Sequence, residues 1–247
     1  MKDAAVYCAG TTPASEYARE FLQAQGIPIT DGAEDAPHLL LDVPSFDSVG
    51  NLRGGGNPYA LFAELPDNAV VYGGNMGHPA LEGFTTVDFL QDEQYLAENA
   101  AITAHCALQT AIPLLSRTFD HLPVLVIGWG RIGKCLSRLL KNLNAEVSVA
   151  ARQESHRAMI AALGFHAIST EEISDRLPRF RLVYNTVPRK LLTVPPDGSC
   201  IKIDLASRQG LIGDDVVWAR GLPGICAPES SGELIAQTFL RLRQEVC

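Results

Sequence analysis

The stretch VLVIGWGRIGKCLSRLL, residues 124–140, sets glycines at 128, 130 and 133 between an apolar run and a helical run. The spacing G-x-G-x-x-G on its own also fits a bare tight turn, so its surroundings must decide. The turn directly follows VLVI, opens a helix over residues 131–143, and leads to a second strand, EVSVAA, ending near Ala151. That is a βαβ unit of the size that holds a dinucleotide. In this reading Gly128 permits the tight turn, Gly130 lets a diphosphate approach the backbone, and Gly133 lets the helix pack on the strand. The unpaired amides of the helix start, around Trp129, Arg131 and Ile132, face the anion.

The tip of the second strand selects the dinucleotide. NAD binders place an acid there to hold the ribose hydroxyls. Here the sequence reads VAARQESH, with Arg152 at the tip, then Gln153, Glu154, Ser155, His156 and Arg157. Arg152 can pair with a ribose 2′-phosphate and Ser155 can donate to it, so NADP(H) is expected ahead of NAD(H). The alternative is that Arg152 only stacks on adenine and both nucleotides are accepted.

The whole chain frames this unit. Its 247 residues with 47% apolar content suffice for two α/β lobes. The net charge of −8 is spread without a dense Lys/Arg stripe, which argues against a nucleic-acid partner. No apolar run approaches the roughly 20 residues of a membrane span, and the first ten residues, with Asp3, lack a signal-peptide core. A cytoplasmic protein is expected. Cys8, Cys106, Cys135, Cys200, Cys226 and Cys247 lie far apart without metal-ligand spacing and read as reduced packing residues, with no metal.

Residues 1–91 read as a first lobe, with strands in AAVYCAG, APHLLLDVP and AVVYGG and a helix in SEYAREFLQAQG. The segment SFDSVGNLRGGGNP, residues 45–58, has no apolar period and follows a strand end; it is either a ligand loop or a mobile surface loop. Residues 92–118 read as one long interlobe helix. Leu96, Ala100, Thr103, Ala104, Ala107 and Ala111 line one narrow stripe of it, and Pro113 should weaken its last turns. Residues 119–228 alternate strand and helix, including RLVYNTVP, CIKIDLAS and PGICAP, which predicts a parallel sheet with right-handed crossovers. A final helix over 229–247 follows Pro228, with Ser230 and Glu233 as a capping box and Gly232 in its first turn.

Two further strand ends carry polar groups where a nicotinamide should lie. Asn185, Thr186, Val187 and Pro188 end one strand, and Pro188 keeps Val187 out of the helical region. Asp204 ends another and precedes Leu205, Ala206, Ser207 and Arg208. Asp204 either caps a turn or, with Ser207 and Arg208, forms a site for a small anionic substrate.

VLVIGWGRIG, NTVP, IDLASRQG and GLPGICAPESSGELIA, in this order and spacing, resemble the A subunit of dipicolinate synthase, a sporulation enzyme family of Gram-positive bacteria. The glycine loop is more distantly similar to those of D-2-hydroxyacid dehydrogenases and adenosylhomocysteinase. The resemblance is strong from about residue 85 onward and weak before it. It implies a Rossmann-type doubly wound parallel sheet with a smaller flavodoxin-like N-terminal α/β lobe. It also implies NAD(P)-dependent oxidation of a reduced dipicolinate precursor to the aromatic dicarboxylate, together with a flavoprotein-like B subunit. The chain departs from the family in a first lobe that reads as shorter, and in its long helix. There the family has roughly N-S-x-P-T-x-E-G and this chain has NAAITAHC, so that His105 stands in the acid's place and Cys106 in the glycine's.

On that chemistry Arg208 and Ser207 are expected on one substrate carboxylate, and Thr103 with Ser230 or Ser231 on the other, helped by the amides of the final helix start. Asp204 and Arg208 join His105 as catalytic candidates. His105 has two readings, a base titrating near neutral pH or a solvated surface residue opposite the alanine stripe. His78, in a glycine-rich turn, is equally open to a structural role. The apolar stretches of the interlobe and final helices suggest a homodimer. Another small keto, imino or hydroxy acid as substrate, or a dinucleotide-binding subunit without its own chemistry, are the competing functions.

Overall fold

The computed structural model describes residues 5–196 and 198–246. Asp3 and Cys247 lie outside them. The chain divides into two compact units, residues 1–99 with 223–247 and residues 100–222.

The first unit holds a parallel sheet of β1 (Val6–Cys8), β2 (His38–Leu40), β3 (Val70–Gly73) and β4 (Thr85–Asp88), in that spatial order. A degenerate strand completes it. Val6 turns both its N–H and its carbonyl to Pro28 and Thr30, while the Ala9 N–H goes the other way, to Leu40 O. The segment at Ile29 therefore flanks β1 on its outer edge. Counted in chain order this is 2-1-3-4-5, the flavodoxin-like arrangement. Pro28 and the brevity of the contact keep it from being a full strand.

Helix α1 (Pro13–Ala24) starts where Thr12 accepts from Ser15 N and Pro13 presets the first turn. Between β2 and β3 a short helix α2 (Pro58–Phe62) is capped by Asn57. The glycine-rich loop before it is built by turns: Asp47 accepts from Val49 N and Asn51 N, and Phe46 bridges Leu52.

Helix α3 (Glu93–Ala111) ends earlier than the sequence pattern predicts. Ile112–Leu114 continue only as a 3-10 turn, because Pro113 removes an amide donor. Ala100, Ala104, Ala107 and Ala111 are buried, as is Thr103. The stripe lets a backbone come within reach of the sheet, and the Tyr184 hydroxyl donates to Ala107 O at 3.0 Å.

The second unit carries β5 (Pro123–Ile127), α4 (Arg131–Asn142), β6 (Glu146–Ala150), α5 (Glu154–Ala162), β7 (His166–Ile168), α6 (Ile173–Arg176) and β8 (Leu182–Asn185). It continues with β9 (Leu192–Thr193), β10 (Ile201–Asp204), β11 (Leu211–Ile212) and β12 (Val216–Trp218). Six of these strands form one parallel sheet in the order β12-β10-β8-β5-β6-β7, and β9 pairs with β11 apart from it. Numbered from β5, the order is 3-2-1-4-5-6, the doubly wound arrangement of dinucleotide-binding folds. Leu125, Ile127, Ala150, Ile168 and Val183 are buried at its centre. Each such aliphatic side chain contributes roughly 2 kcal/mol.

Two elements differ from their sequence reading. PGICAP is not a strand: Leu222–Cys226 form a helical turn, α7, with Pro223 near its start, where proline's fixed φ suits a first turn. The final helix α8 (Pro228–Val246) opens at Pro228, and Ser231 N already donates to Ala227 O. Ser230 is thus inside the first turn and no capping box forms with Glu233. Gly232 has a packing reason instead, since a Cβ there would lie 2.3 Å from Ala14 O, so its hydrogen lets α8 cross α1. Among the described residues, Cys8, Cys106, Cys135, Cys200 and Cys226 form no disulfide. Among the described residues no helix is long and apolar enough to cross a membrane.

Candidate functional site

The strand ends of the second unit form a single row in register. Trp218 stands beside Asp204, Asp204 beside Asn185, Asn185 beside Ile127, Ile127 beside Ala150, and Ala150 beside Ile168. The chain reverses its winding between β5 and β8, where open parallel sheets place their ligands. The segments singled out at 128–133, 152–155, 185–188 and 204–208 all leave this one edge.

The glycine turn has distinct causes at its three positions. Gly128 has φ +108°, which disfavours any other residue, and a Cβ there would meet Thr186 Oγ1 at 2.4 Å. Thr186 in turn donates its hydroxyl to Ile127 O at 2.9 Å, clamping the adjacent strand end. At Gly133 a Cβ would lie 2.2 Å from Gly128 O, so the helix sits directly on the turn. Gly130 is different: φ is −82° and a Cβ would meet nothing within 4 Å. Nothing in the chain itself requires glycine there. A side chain at 130 would stand in open space at the start of α4. Trp129 turns into the protein, buried, with Phe165 at its edge and the Lys134 ammonium 5.9 Å from its ring. Arg131 is exposed and Ile132 half-buried at the helix start.

At the end of β6, Arg152 and Ser155 are exposed, and Ser155 stands in the first turn of α5. Arg157, one turn on, reaches back to the carbonyls of Ala151 and Arg152. The tip therefore gathers two guanidinium groups and a hydroxyl at one helix start.

Asn185 and Asp204 are both fully buried. Asp204 accepts from Ala206 N at 3.0 Å, Gly210 N at 2.7 Å, Leu211 N at 2.8 Å and Asn185 Nδ2 at 3.0 Å. Asn185 also spans its own turn, donating to Val187 O and accepting from Val187 N. Gly210 fits between the two loops, since its Cβ would come within 2.6 Å of both Arg189 O and Asn185 Nδ2. One carboxylate thus fixes the turn at Thr186–Pro188 and the loop that presents Ser207 and Arg208, both exposed, while Leu205 and Ala206 are buried beneath it. Trp218 adds to this end of the row. Its indole donates to Ala206 O at 3.0 Å and Arg220 stacks on it at 5.0 Å. The pattern VVW gave no sign of it, being only three residues long.

Other candidates stand on other elements. His105 is exposed on α3 while Thr103 is buried on its alanine face. Ser230, exposed, and Ser231, buried, belong to α8 of the first unit. His78 is structural: its Nδ1 accepts from Ala80 N at 3.1 Å and its ring stacks on Phe46 at 4.4 Å. In the first unit, the place where a flavodoxin-type fold holds phosphate is filled from within. Asp42 accepts from Thr11 N, Thr12 N, Thr12 Oγ1 and Ser15 Oγ, taking the donors at the start of α1.

No family model matches the chain. The A subunit of dipicolinate synthase from Bacillus subtilis (strain 168) is 30% identical over 162 residues, which cover 60% of this chain and 54% of that protein. The solved structure of the A subunit of dipicolinate synthase from Bacillus halodurans superposes with a TM-score of 0.80 at 21% identity, covering 96% of both chains. The chain resembles the A subunit of dipicolinate synthase. The structural match to the Bacillus halodurans protein runs through the first unit as well, where the sequence reading expects a shortened lobe; 96% coverage of that chain leaves little missing. A transhydrogenase from Sinorhizobium meliloti shares the fold at a TM-score of 0.70 and 13% identity, covering 98% of this chain and 94% of that one.

Proposed function

We propose that the chain is an NADP(H)-preferring oxidoreductase of the dipicolinate synthase A type, which oxidises a dihydro- or tetrahydrodipicolinate to dipicolinate. The observation that carries the reading is Gly130, a glycine with no demand from its own chain, at the start of a helix without a side-chain cap on the edge of a doubly wound sheet. A nicotinamide dinucleotide held there in its oxidised form would supply the hydride acceptor, one equivalent for a dihydro substrate and two in succession for a tetrahydro one, with one proton released at each oxidation. The amides of residues 129–132 hold the diphosphate. Arg152 and Ser155 hold the ribose 2′-phosphate, and the Thr186–Pro188 turn with Leu205 and Ala206 supports the nicotinamide end.

For the substrate, Arg208 and Ser207 take one carboxylate from the exposed loop after β10. Thr103, Ser230 and Ser231 are the proposed group for the second. Asp204 acts as an anchor of that loop rather than as a reacting group, because its oxygens already receive four donors. His105 stays the proposed proton acceptor, its exposure permitting exchange with solvent. A homodimer in a cytoplasmic setting, working with a flavoprotein-like second subunit, completes the proposal.

The test is spectrophotometric NADPH formation with freshly made dihydrodipicolinate, with and without a flavoprotein partner. Turnover that falls in Arg208→Ala and loses its pH dependence in His105→Gln supports the reading. Calorimetry that detects neither NADPH nor NADH removes it. A second reading, a dinucleotide-binding subunit without chemistry, is favoured by His105 standing where the family pattern has an acid. Tight NADPH binding without turnover on any small keto, imino or hydroxy acid would select it.

A further inference from the structure

The turn from β6 to α5 holds an arginine that neither the glycine motif nor the strand tip accounts for. Arg157 is half-buried in α5, and a single Nη1 donates to Ala151 O at 3.0 Å and to Arg152 O at 2.6 Å. These carbonyls belong to the turn that follows β6, which ends at Ala150. Two carbonyl oxygens turned toward one place repel an anion there. A guanidinium laid across both cancels that opposition and fixes the backbone from which the Arg152 side chain departs. Two acids lie in its surroundings. Glu154 is exposed in the first turn of α5. Glu172 accepts from Ser169 N at 2.9 Å and pairs with Arg176 at 2.7 Å, and these bonds together with the more distant Arg157 charge hold its carboxyl below the ordinary range.

We infer that Arg157 is a positioning and specificity-determining residue for a phosphate on the adenosine ribose. It sets the Arg152 turn in the shape that receives the phosphate and adds a second positive charge beside it. This rests on the glycine turn being a dinucleotide site, and goes beyond it by assigning the discrimination to a residue outside the strand tip. An arginine that merely braced the turn would weaken phosphorylated and unphosphorylated ligands alike, because both use the same adenosine contacts.

The experiment is calorimetry of the full chain with adenosine 2′,5′-bisphosphate and with 5′-AMP, on the parent protein, Arg157→Gln, Arg157→Lys and Arg152→Ala. Arg157→Gln is expected to lose about tenfold in affinity for the bisphosphate while 5′-AMP stays within about twofold, the size of one charge-assisted contact. Arg157→Lys keeps the charge on a shorter side chain without the planar guanidinium and should fall between. If the parent protein prefers the bisphosphate and both Arg157 variants keep that preference, the inference is overturned while the NADP(H) reading stands, provided Arg152→Ala loses it. If the parent protein binds the two ligands equally, the NADP(H) reading falls and this one with it. Should Arg157→Gln fail to fold, the ratio in Arg157→Lys decides: an unchanged ratio overturns the inference.

Discussion

At the scale of single residues, the three glycines of one motif owe their identity to three different forces, and that makes them separable. Gly133 is held by contact with a backbone carbonyl that cannot move away, so Gly133→Ala should destabilise the fold by roughly 2 kcal/mol or more. In a chain of this size that lowers the melting temperature by roughly 4–8 °C. Gly130→Ala meets open space at an ordinary φ, so its melting temperature should match the parent within about 2 °C. Under the proposed function its nucleotide affinity should nevertheless fall, because the methyl group would stand where the diphosphate approaches. Thermal melts and calorimetry on the same two proteins check both halves. A Gly130→Ala protein that binds NADPH at full strength would show that this turn is architecture only. The motif was legible because spacing and context are local. The role of Asp204 was not, since its four donors come from two loops that only the fold brings together.

At the scale of elements, the long helix shows how a local signal and a distant partner combine. Asp92 precedes α3 and accepts from Tyr95 N at 2.7 Å, the ordinary work of a cap, and it also takes both guanidinium nitrogens of Arg241 on α8. Burial works to raise the Asp92 pKa, but the hydrogen bonds from Arg241 and Tyr95 and the Arg241 charge outweigh it and leave the carboxyl below its ordinary 3.8. A carboxyl depressed in the folded state gives stability that is full above the unfolded pKa and lost as the pH falls through the folded one. Arg241→Ala should therefore cost about 0.5–1 kcal/mol at neutral pH. The deficit should shrink in urea titrations run below 3.8, as Asp92 protonates in both proteins. A deficit unchanged down to the acid limit would mean that Arg241 acts through packing alone. The helix and its proline stop were readable from periodicity and Pro113. The outermost strands β4, β7 and β12 were not: they are largely exposed, and β4 and β7 lack the apolar runs that mark the equally short β1, β2 and β3; all three persist because a parallel neighbour completes them.

At the scale of the whole molecule, two parallel sheets wound by the same rules differ at the helix start where such folds hold phosphate. The second unit has no side-chain cap at the start of α4 behind Gly130, whereas the first unit closes the equivalent place at the start of α1 with its own carboxylate. The alternation of strands and helices was legible for both, but not this difference, because Asp42 lies 30 residues from Thr12 and reads only as the end of an apolar run. An anion arriving at α1 would have to displace four donors from Asp42 and then face the charge of the carboxylate itself. The flavodoxin-like topology of this unit should therefore carry no flavin site, even though the proposed partner is flavoprotein-like. Hydrogen exchange on the full chain, with NADPH and separately with flavin mononucleotide, checks both units in one experiment. NADPH should slow exchange at residues 129–133 and 152–157, with no further slowing at Thr11 and Thr12, whose amides are already bonded to Asp42. Flavin mononucleotide should change neither set. Slowed exchange at Thr11 and Thr12 in the presence of the flavin nucleotide would mean that Asp42 yields to phosphate, and that the first unit binds the group its own side chain was argued to exclude.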